Sequence, residues 1–169
     1  MVVLARLNIG LIVTSDRIYE RIGKDENLKT LNEHLRGAEG VELAFYYTVP
    51  NDPHMIRAIT DEASRVCDLV IVTGGTGVSP RDKTVESLAS IASREVRSLG
   101  DLLRLKSSRE IGDKAFISRS TAFIVRGALV VVIPGNPSAL KVLLHMMESI
   151  LEHVAEEIRG SLHHGKHIA

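Results

Sequence analysis

Along the chain, short runs rich in β-branched and aromatic residues alternate with longer stretches in which apolar residues recur every three or four positions. The runs NIGLIVT (8–14), VELAFYYTV (41–49), CDLVIVT (67–73) and ALVVVIP (128–134) predict strands. The later ones are almost continuously apolar, as in a sheet covered on both faces. Between the second and third strands, Asp52 and Pro53 predict a helix N-cap with proline in the first turn. Met55, Ile56, Ile59, Ala63 and Val66 form the apolar stripe of that helix. From Ser138 onward Leu140, Leu143, Leu144, Met147, Leu151, Val154 and Ile158 stand three or four apart and predict a long amphipathic helix that Gly160 ends. Core packing accounts for that stripe, and His145 and His153 are assigned to it as well. The alternation of strand and helix predicts an α/β fold, a three-layer α/β/α sandwich around a mainly parallel sheet. In such a fold, ligands bind beyond the carboxyl ends of the strands.

Three of the predicted strands end in small or glycine-rich sequence: TSDR (14–17), TGGTG (73–77) and PGNPSA (134–139). In a parallel sheet these ends share one edge, where glycines let backbone N–H groups surround an anion with no Cβ in the way. As a bare pattern, GGTG serves a tight strand-to-helix turn as readily as an anion cradle. It matches neither common nucleotide fingerprint. No Gly-Lys-Ser/Thr closes the loop, and the sixth residue from Gly75 is Pro80 rather than glycine. The residues after the glycines favour phosphate. Arg81 and Lys83 supply positive charge, and Asp82 is the hard oxygen ligand that Mg²⁺ takes together with substrate phosphates. The plainer alternative is a solvated loop in which Thr84 caps the next helix. Asp52, at the end of the second strand, either projects from the same edge as Asp82 or serves only as the cap.

Composition narrows the partners. Twenty-one basic and 21 acidic residues in 169 leave no net charge to draw nucleic acid or an anionic membrane, so any anion site is local. With no Trp and only six Tyr and Phe residues, no platform for stacking bases is visible. The single cysteine, Cys67, reads as a small buried residue beside a strand and fits a reducing cytoplasm. Neither a signal peptide nor a membrane-spanning run is predicted. The length suits one domain, 1–160, followed by a solvated tail, 161–169, whose histidines have no fixed geometry for a metal.

TSDR, TGGTGVSPRDKTVESL, SREVRSLGDLLR, ISRS and PGNPSA, in this order and at these spacings, resemble the molybdopterin adenylyltransferase family of MogA/MoaB type over nearly the whole chain. The segment 73–88 and the PGNP turn are the specific parts. The resemblance implies a cytoplasmic homotrimer, or a multiple of it, acting late in molybdenum or tungsten cofactor synthesis. There, the phosphate of molybdopterin attacks the α-phosphorus of Mg-ATP, giving adenylylated molybdopterin and pyrophosphate for a downstream metal-insertion protein.

Carried over by position, the resemblance implies Asp82 and Asp52 as catalytic carboxylates, with Asp82, Asn51 and Asp52 toward Mg²⁺. Gly74, Gly75, Thr76, Gly77, Arg81, Gly135, Asn136 and Pro137 fall to the nucleotide phosphates. Thr14, Ser15, Asp16, Ser118 and Arg119 fall to the pterin. Asn51 stands where the family has an acid, and DENL (25–28) replaces a segment with a small residue and a glycine. A non-catalytic trimeric molybdopterin carrier, or a nucleotide-diphosphate hydrolase using the same edge, are the alternatives.

Overall fold

Alternation decides which face each strand residue serves. In the computed structural model, which describes residues 7–38 and 40–148, β1 (Leu7–Thr14) turns Leu7, Ile9, Leu11 and Val13 to one side and Ile12 to the other. β3 (Leu69–Thr73) divides Leu69 and Ile71 from Val70 and Val72. β6 (Ala128–Ile133) divides Leu129, Val131 and Ile133 from Val130 and Val132. Every residue of β3 and β6 is buried, which is why neither run carries polar alternation.

With β2 (Val41–Val49), β4 (Arg94–Glu95) and β5 (Thr121–Val125), these strands form one six-stranded sheet in the order β2-β1-β3-β6-β5-β4. The pairs β1/β2, β1/β3 and β3/β6 are parallel, and β5/β6 and β4/β5 antiparallel. The sheet is thus mainly parallel, with an antiparallel margin that the strand pattern does not announce. Its hairpin turns on Arg126 and Gly127, both at positive φ (51° and 87°), the backbone that two-residue hairpin loops favour.

One face of the sheet is covered by α2 (Glu26–Leu35), α5 (Arg97–Ile111) and α6 (Pro137–Glu148), through Leu31, Leu103, Leu140, Leu143, Leu144 and Met147. The other is covered by α3 (Pro53–Ala63) and α4 (Thr84–Ala89), through Ile56, Ala63 and Leu88. The result is the expected α/β/α sandwich, with a single-turn helix, α1 (Asp16–Tyr19), after β1. No helix among the described residues is long and apolar enough to cross a membrane.

Two details depart from the periodic pattern. α3 is capped by Asp52, whose Oδ1 accepts the Met55 N–H at 2.8 Å, but it stops at Ala63. The Val66 and Cys67 amides both donate to the Ala63 carbonyl and turn the chain toward β3. Val66 therefore lies beyond the helix and is exposed rather than part of the stripe. α6 starts at Pro137, one residue earlier than expected, because Asn136 Oδ1 caps it by accepting the Ala139 N–H at 2.9 Å. Its buried residues fall on one side, and His145 falls on the other. That histidine is exposed and meets the Lys141 carbonyl at 2.8 Å, so it is no core residue. Leu151, His153, Val154, Ile158, Gly160 and the 161–169 tail lie outside the described residues. Cys67 is buried as expected; burial and the neighbouring Asp68 push its thiol up to about 11, so it stays protonated at neutral pH.

Candidate functional site

Register brings the three glycine-rich ends together. Val13 pairs with Thr73 and Thr73 with Ile133, so the chain leaves three adjacent strands at one level. The loops touch at Gly74, whose N–H donates to the Ile133 carbonyl at 2.9 Å. Its φ of +98° suits glycine, and a Cβ there would stand 2.3 Å from the Thr14 carbonyl oxygen. A Cβ on Gly135 would come within 3.3 Å of the Gly74 Cα, so the PGNP turn lies directly on this loop.

The three peptides that follow share one orientation. The Gly75 carbonyl accepts the Thr84 N–H at 3.2 Å, and the Thr76 carbonyl accepts the Arg119 N–H at 2.9 Å. The Gly77 carbonyl accepts Arg119 Nε at 2.9 Å. All three carbonyls are thus held by the protein, which turns the other ends of the same peptides, the Thr76, Gly77 and Val78 N–H groups, the opposite way; the Gly75, Thr76 and Gly77 N–H groups have no acceptor among the described residues. They border a cavity of about 700 Å³, which is a size common for small-molecule sites. Asp82 is in the same wall. Its Oδ2 accepts the Ser79 N–H at 3.0 Å and lies against Gly77, where a Cβ would be only 2.7 Å away.

Of the residues singled out in the sequence, Gly75, Thr76, Gly77, Asp82, Ser118, Gly135 and Asn136 line the cavity. Its far wall comes from α5, the 3-10 turn at Gly112–Ile117 and α6, with Arg104, Ser107, Glu110 and Lys114 among apolar Leu103, Ile111, Ile117 and Val142. None of these was assigned from sequence. A usable signal existed, since Arg104, Ser107 and Ile111 recur at helical spacing in a charged segment. Arg104 is only 19% exposed and donates to the Ser120 and Ser118 carbonyls while pairing with Asp101. It anchors α5 beside the Ser118 and Ser120 hydroxyls, which meet at 2.7 Å.

Thr14, Ser15, Asp16, Asn51, Asp52 and Arg81 gather next to the cavity rather than in its wall. Asp16 accepts the Asn51 backbone N–H at 2.8 Å, the Asn51 side-chain amide at 3.2 Å and an Arg81 guanidinium N–H at 2.6 Å. Ser15 caps α1, and Asp52 caps α3. Arg81 is therefore turned onto Asp16, away from the glycine loop. The Thr84 alternative is corrected. α4 has no side-chain cap, and the Thr84 Oγ1 is instead buried without a partner against Gly75, where a Cβ would be 2.2 Å away. Pro137 is at the α6 start beside Asn136. No cluster of three or more metal-binding side chains exists among the described residues.

The Asn51 backbone N–H, then its side-chain amide and Arg81, hold the Asp16 carboxyl below its ordinary value. A depressed folded pKa means that this link stabilises the fold above the unfolded pKa of roughly 4 and is lost as pH falls through the lower folded value. With so exposed an arginine partner, the effect is within about 1 kcal/mol. In denaturant titrations between pH 6 and pH 3, wild type is expected to lose more stability than Asp16→Asn, and equal losses would remove Asp16 from this role.

Comparison with known proteins agrees with this arrangement. Residues 10–153 match the family model described as "Probable molybdopterin binding domain". A molybdopterin adenylyltransferase of Pyrococcus furiosus is 34% identical over 162 residues, covering 89% of this chain and 90% of the relative. One of Helicobacter pylori is 29% identical, covering 92% and 89%. The solved structure of the tungsten cofactor synthesizing protein MoaB from Pyrococcus furiosus superposes with a TM-score of 0.82 at 31% identity, covering 91% of this chain and 98% of that one. The molybdopterin biosynthesis enzyme MoaB from Thermus thermophilus gives 0.81 at 29% identity, covering 91% and 97%. A three-layer sandwich with GGTG, SPRD and PGNP gathered at one sheet edge, matched along its length by these relatives, places the chain in the molybdopterin-binding domain family of molybdenum cofactor biosynthesis proteins.

Proposed function

We propose that the chain transfers the adenylyl group of ATP to molybdopterin. The observation that supports this most strongly is the glycine loop itself, whose Gly75, Thr76 and Gly77 N–H groups have no acceptor among the described residues and border a cavity beside the Asp82 carboxylate. Donors fixed before the reaction are worth most where negative charge develops, because they need no reorganisation as it builds. The α6 N-terminus, at Gly135 and Asn136 in the same wall, adds positive potential. The names borne by the relatives from Pyrococcus furiosus and Helicobacter pylori support the choice of pterin and reaction.

In the proposed reaction a phosphate oxygen of molybdopterin attacks the α-phosphorus of ATP. The bond from that phosphorus to the bridging oxygen toward the β-phosphate breaks, and pyrophosphate leaves with the electron pair. The loop amides hold the non-bridging oxygens, and the far wall orients the organic part of the substrate. Magnesium takes one or two carboxylates and otherwise keeps water and phosphate oxygens, so Asp82 alone beside the loop fits it. When bound, the ion neutralises charge on the phosphates. Asp52 has one oxygen on the Met55 N–H, and Asn51 faces Asp16, so both belong to the neighbouring cluster rather than to the proposed ion position. The protein is proposed to work in the cytoplasm as a homotrimer or a multiple of one, passing its product to a metal-insertion protein.

Incubation with ATP, magnesium and molybdopterin is expected to release pyrophosphate stoichiometrically with adenylylated pterin, and neither substrate alone should do so. Release of AMP from ATP without pterin, or no release at all, would contradict the reading.

A further inference from the structure

Glycine-rich sequence does not by itself fix the orientation of its peptides; the Thr84 N–H holds the Gly75 carbonyl, and the two peptides that follow need another group. We propose that Arg119 is that group, a positioning residue of the loop and not a contact to the pterin.

Its backbone N–H donates to the Thr76 carbonyl at 2.9 Å, its Nε to the Gly77 carbonyl at 2.9 Å and its Nη2 to the Asp82 carbonyl at 2.9 Å. The remaining guanidinium nitrogen, Nη1, meets Glu86 of α4. One residue thus holds the Thr76 carbonyl through its backbone and, through its side chain, the carbonyls at both ends of the 77–82 loop, which turns the Gly77 and Val78 N–H groups the opposite way. It also fixes the backbone of the residue whose carboxylate stands in the cavity wall.

Glu86 orients the guanidinium from behind. Burial, the largest influence, would raise the Glu86 carboxyl, but the hydrogen bond from Arg119, the backbone N–H of Glu86 itself and the charges of Arg119 and Lys83 together keep the group below its usual value. Arg119 borders the shallow depression next to the cavity rather than the cavity itself. It stands two residues before β5, so the loop is tied to the sheet, and a site on a rigid element holds geometry better than one on a free loop. The planar fork matters, since a lysine ammonium is a single point of charge and cannot serve the Gly77 and Asp82 carbonyls with fixed geometry.

The test compares Arg119→Ala, Arg119→Lys and Glu86→Gln with wild type. Its first readout needs no substrate: the amide ¹H–¹⁵N resonances of Gly77 and Val78, whose peptides carry the Thr76 and Gly77 carbonyls. In wild type each is expected to be single and sharp. In both arginine variants they should broaden or split while the β1 and β3 resonances stay in place. The second readout, which rests on the proposed function, is pyrophosphate release. Both arginine variants should lose about 100-fold in kcat/KM, mainly in kcat, as expected for misplaced donors. Glu86→Gln, which keeps the three carbonyl contacts, should lose less than about tenfold. Added guanidinium at millimolar concentration should recover part of the Arg119→Ala loss and none of the Arg119→Lys loss.

Unchanged Gly77 and Val78 resonances in folded Arg119→Ala overturn the inference whatever the rates. If Arg119→Ala does not fold, the same resonances in Arg119→Lys decide. A wild type that transfers nothing contradicts the proposed reaction and leaves the resonance readout to judge Arg119 separately.

Discussion

Asp82→Asn is expected to lower adenylyl transfer by about 10²- to 10³-fold while the chain stays folded. The substitution is close to isosteric. A side-chain oxygen can still accept the Ser79 N–H, which the native carboxylate receives at 3.0 Å, so the loop keeps its local hydrogen bond. What disappears is one negative charge beside the glycine amides, and with it the proposed hold on magnesium. A neutral oxygen ligates the ion weakly compared with a carboxylate. The loss should appear in kcat/KM for pyrophosphate release and should be partly recovered at high magnesium, with a thermal midpoint near that of wild type. Activity within threefold of wild type at low magnesium would move the carboxylate's role elsewhere.

Gly100→Ala is the second large effect, and two simple considerations give it opposite signs. In an exposed helix interior the change stabilises by about 1 kcal/mol, because alanine loses less backbone entropy than glycine. Here a Cβ at position 100 would lie 2.0 Å from the Ser120 carbonyl oxygen, 2.6 Å from its carbon and 2.7 Å from the Thr121 Cα. All three are backbone atoms at the start of β5, so no side-chain rotation relieves the contact and α5 must move off the sheet. That movement also disturbs Leu103 in the core and the Arg104 anchor on Ser120. Overpacking of this kind costs about 3 kcal/mol or more. Denaturant unfolding should show that loss, accompanied by weaker substrate binding. A gain in stability would mean that α5 does not pack as described.

What could be read from residue order, and what could not, follows from the range of the contacts. The cavity edge is legible because strand ends, glycines and Asp82 are local signals, and a parallel sheet aligns its own carboxyl ends. Gly75, Thr76, Gly77, Asp82, Gly135 and Asn136 all entered the cavity wall on that reasoning. The far wall was not legible, since Arg104 and Ser107 matter only once α5 lies across the segment after the 3-10 turn. The resemblance assigns Arg119 to the pterin, and residue order does not show its contacts to Gly77 and Asp82, which span 42 and 37 residues of sequence. Val66 and His145 went wrong for a different reason. An apolar period continues on paper past the point where backbone bonds close a helix, and a histidine one position off the stripe faces outward. Thr84 looked like a cap by type, yet its hydroxyl is packed under Gly75. Asp52 and Asn51 were drawn toward magnesium by alignment, whereas α3 and Asp16 engage them locally.

The most direct measurement is a crystal structure of the chain with magnesium and a non-hydrolysable ATP analogue. The triphosphate is expected within hydrogen-bond distance of the Gly75, Thr76 and Gly77 nitrogens, with the ion bridging it to an Asp82 carboxylate oxygen. A nucleotide seated elsewhere, with those three nitrogens facing water and Asp82 clear of the ion, would contradict the account.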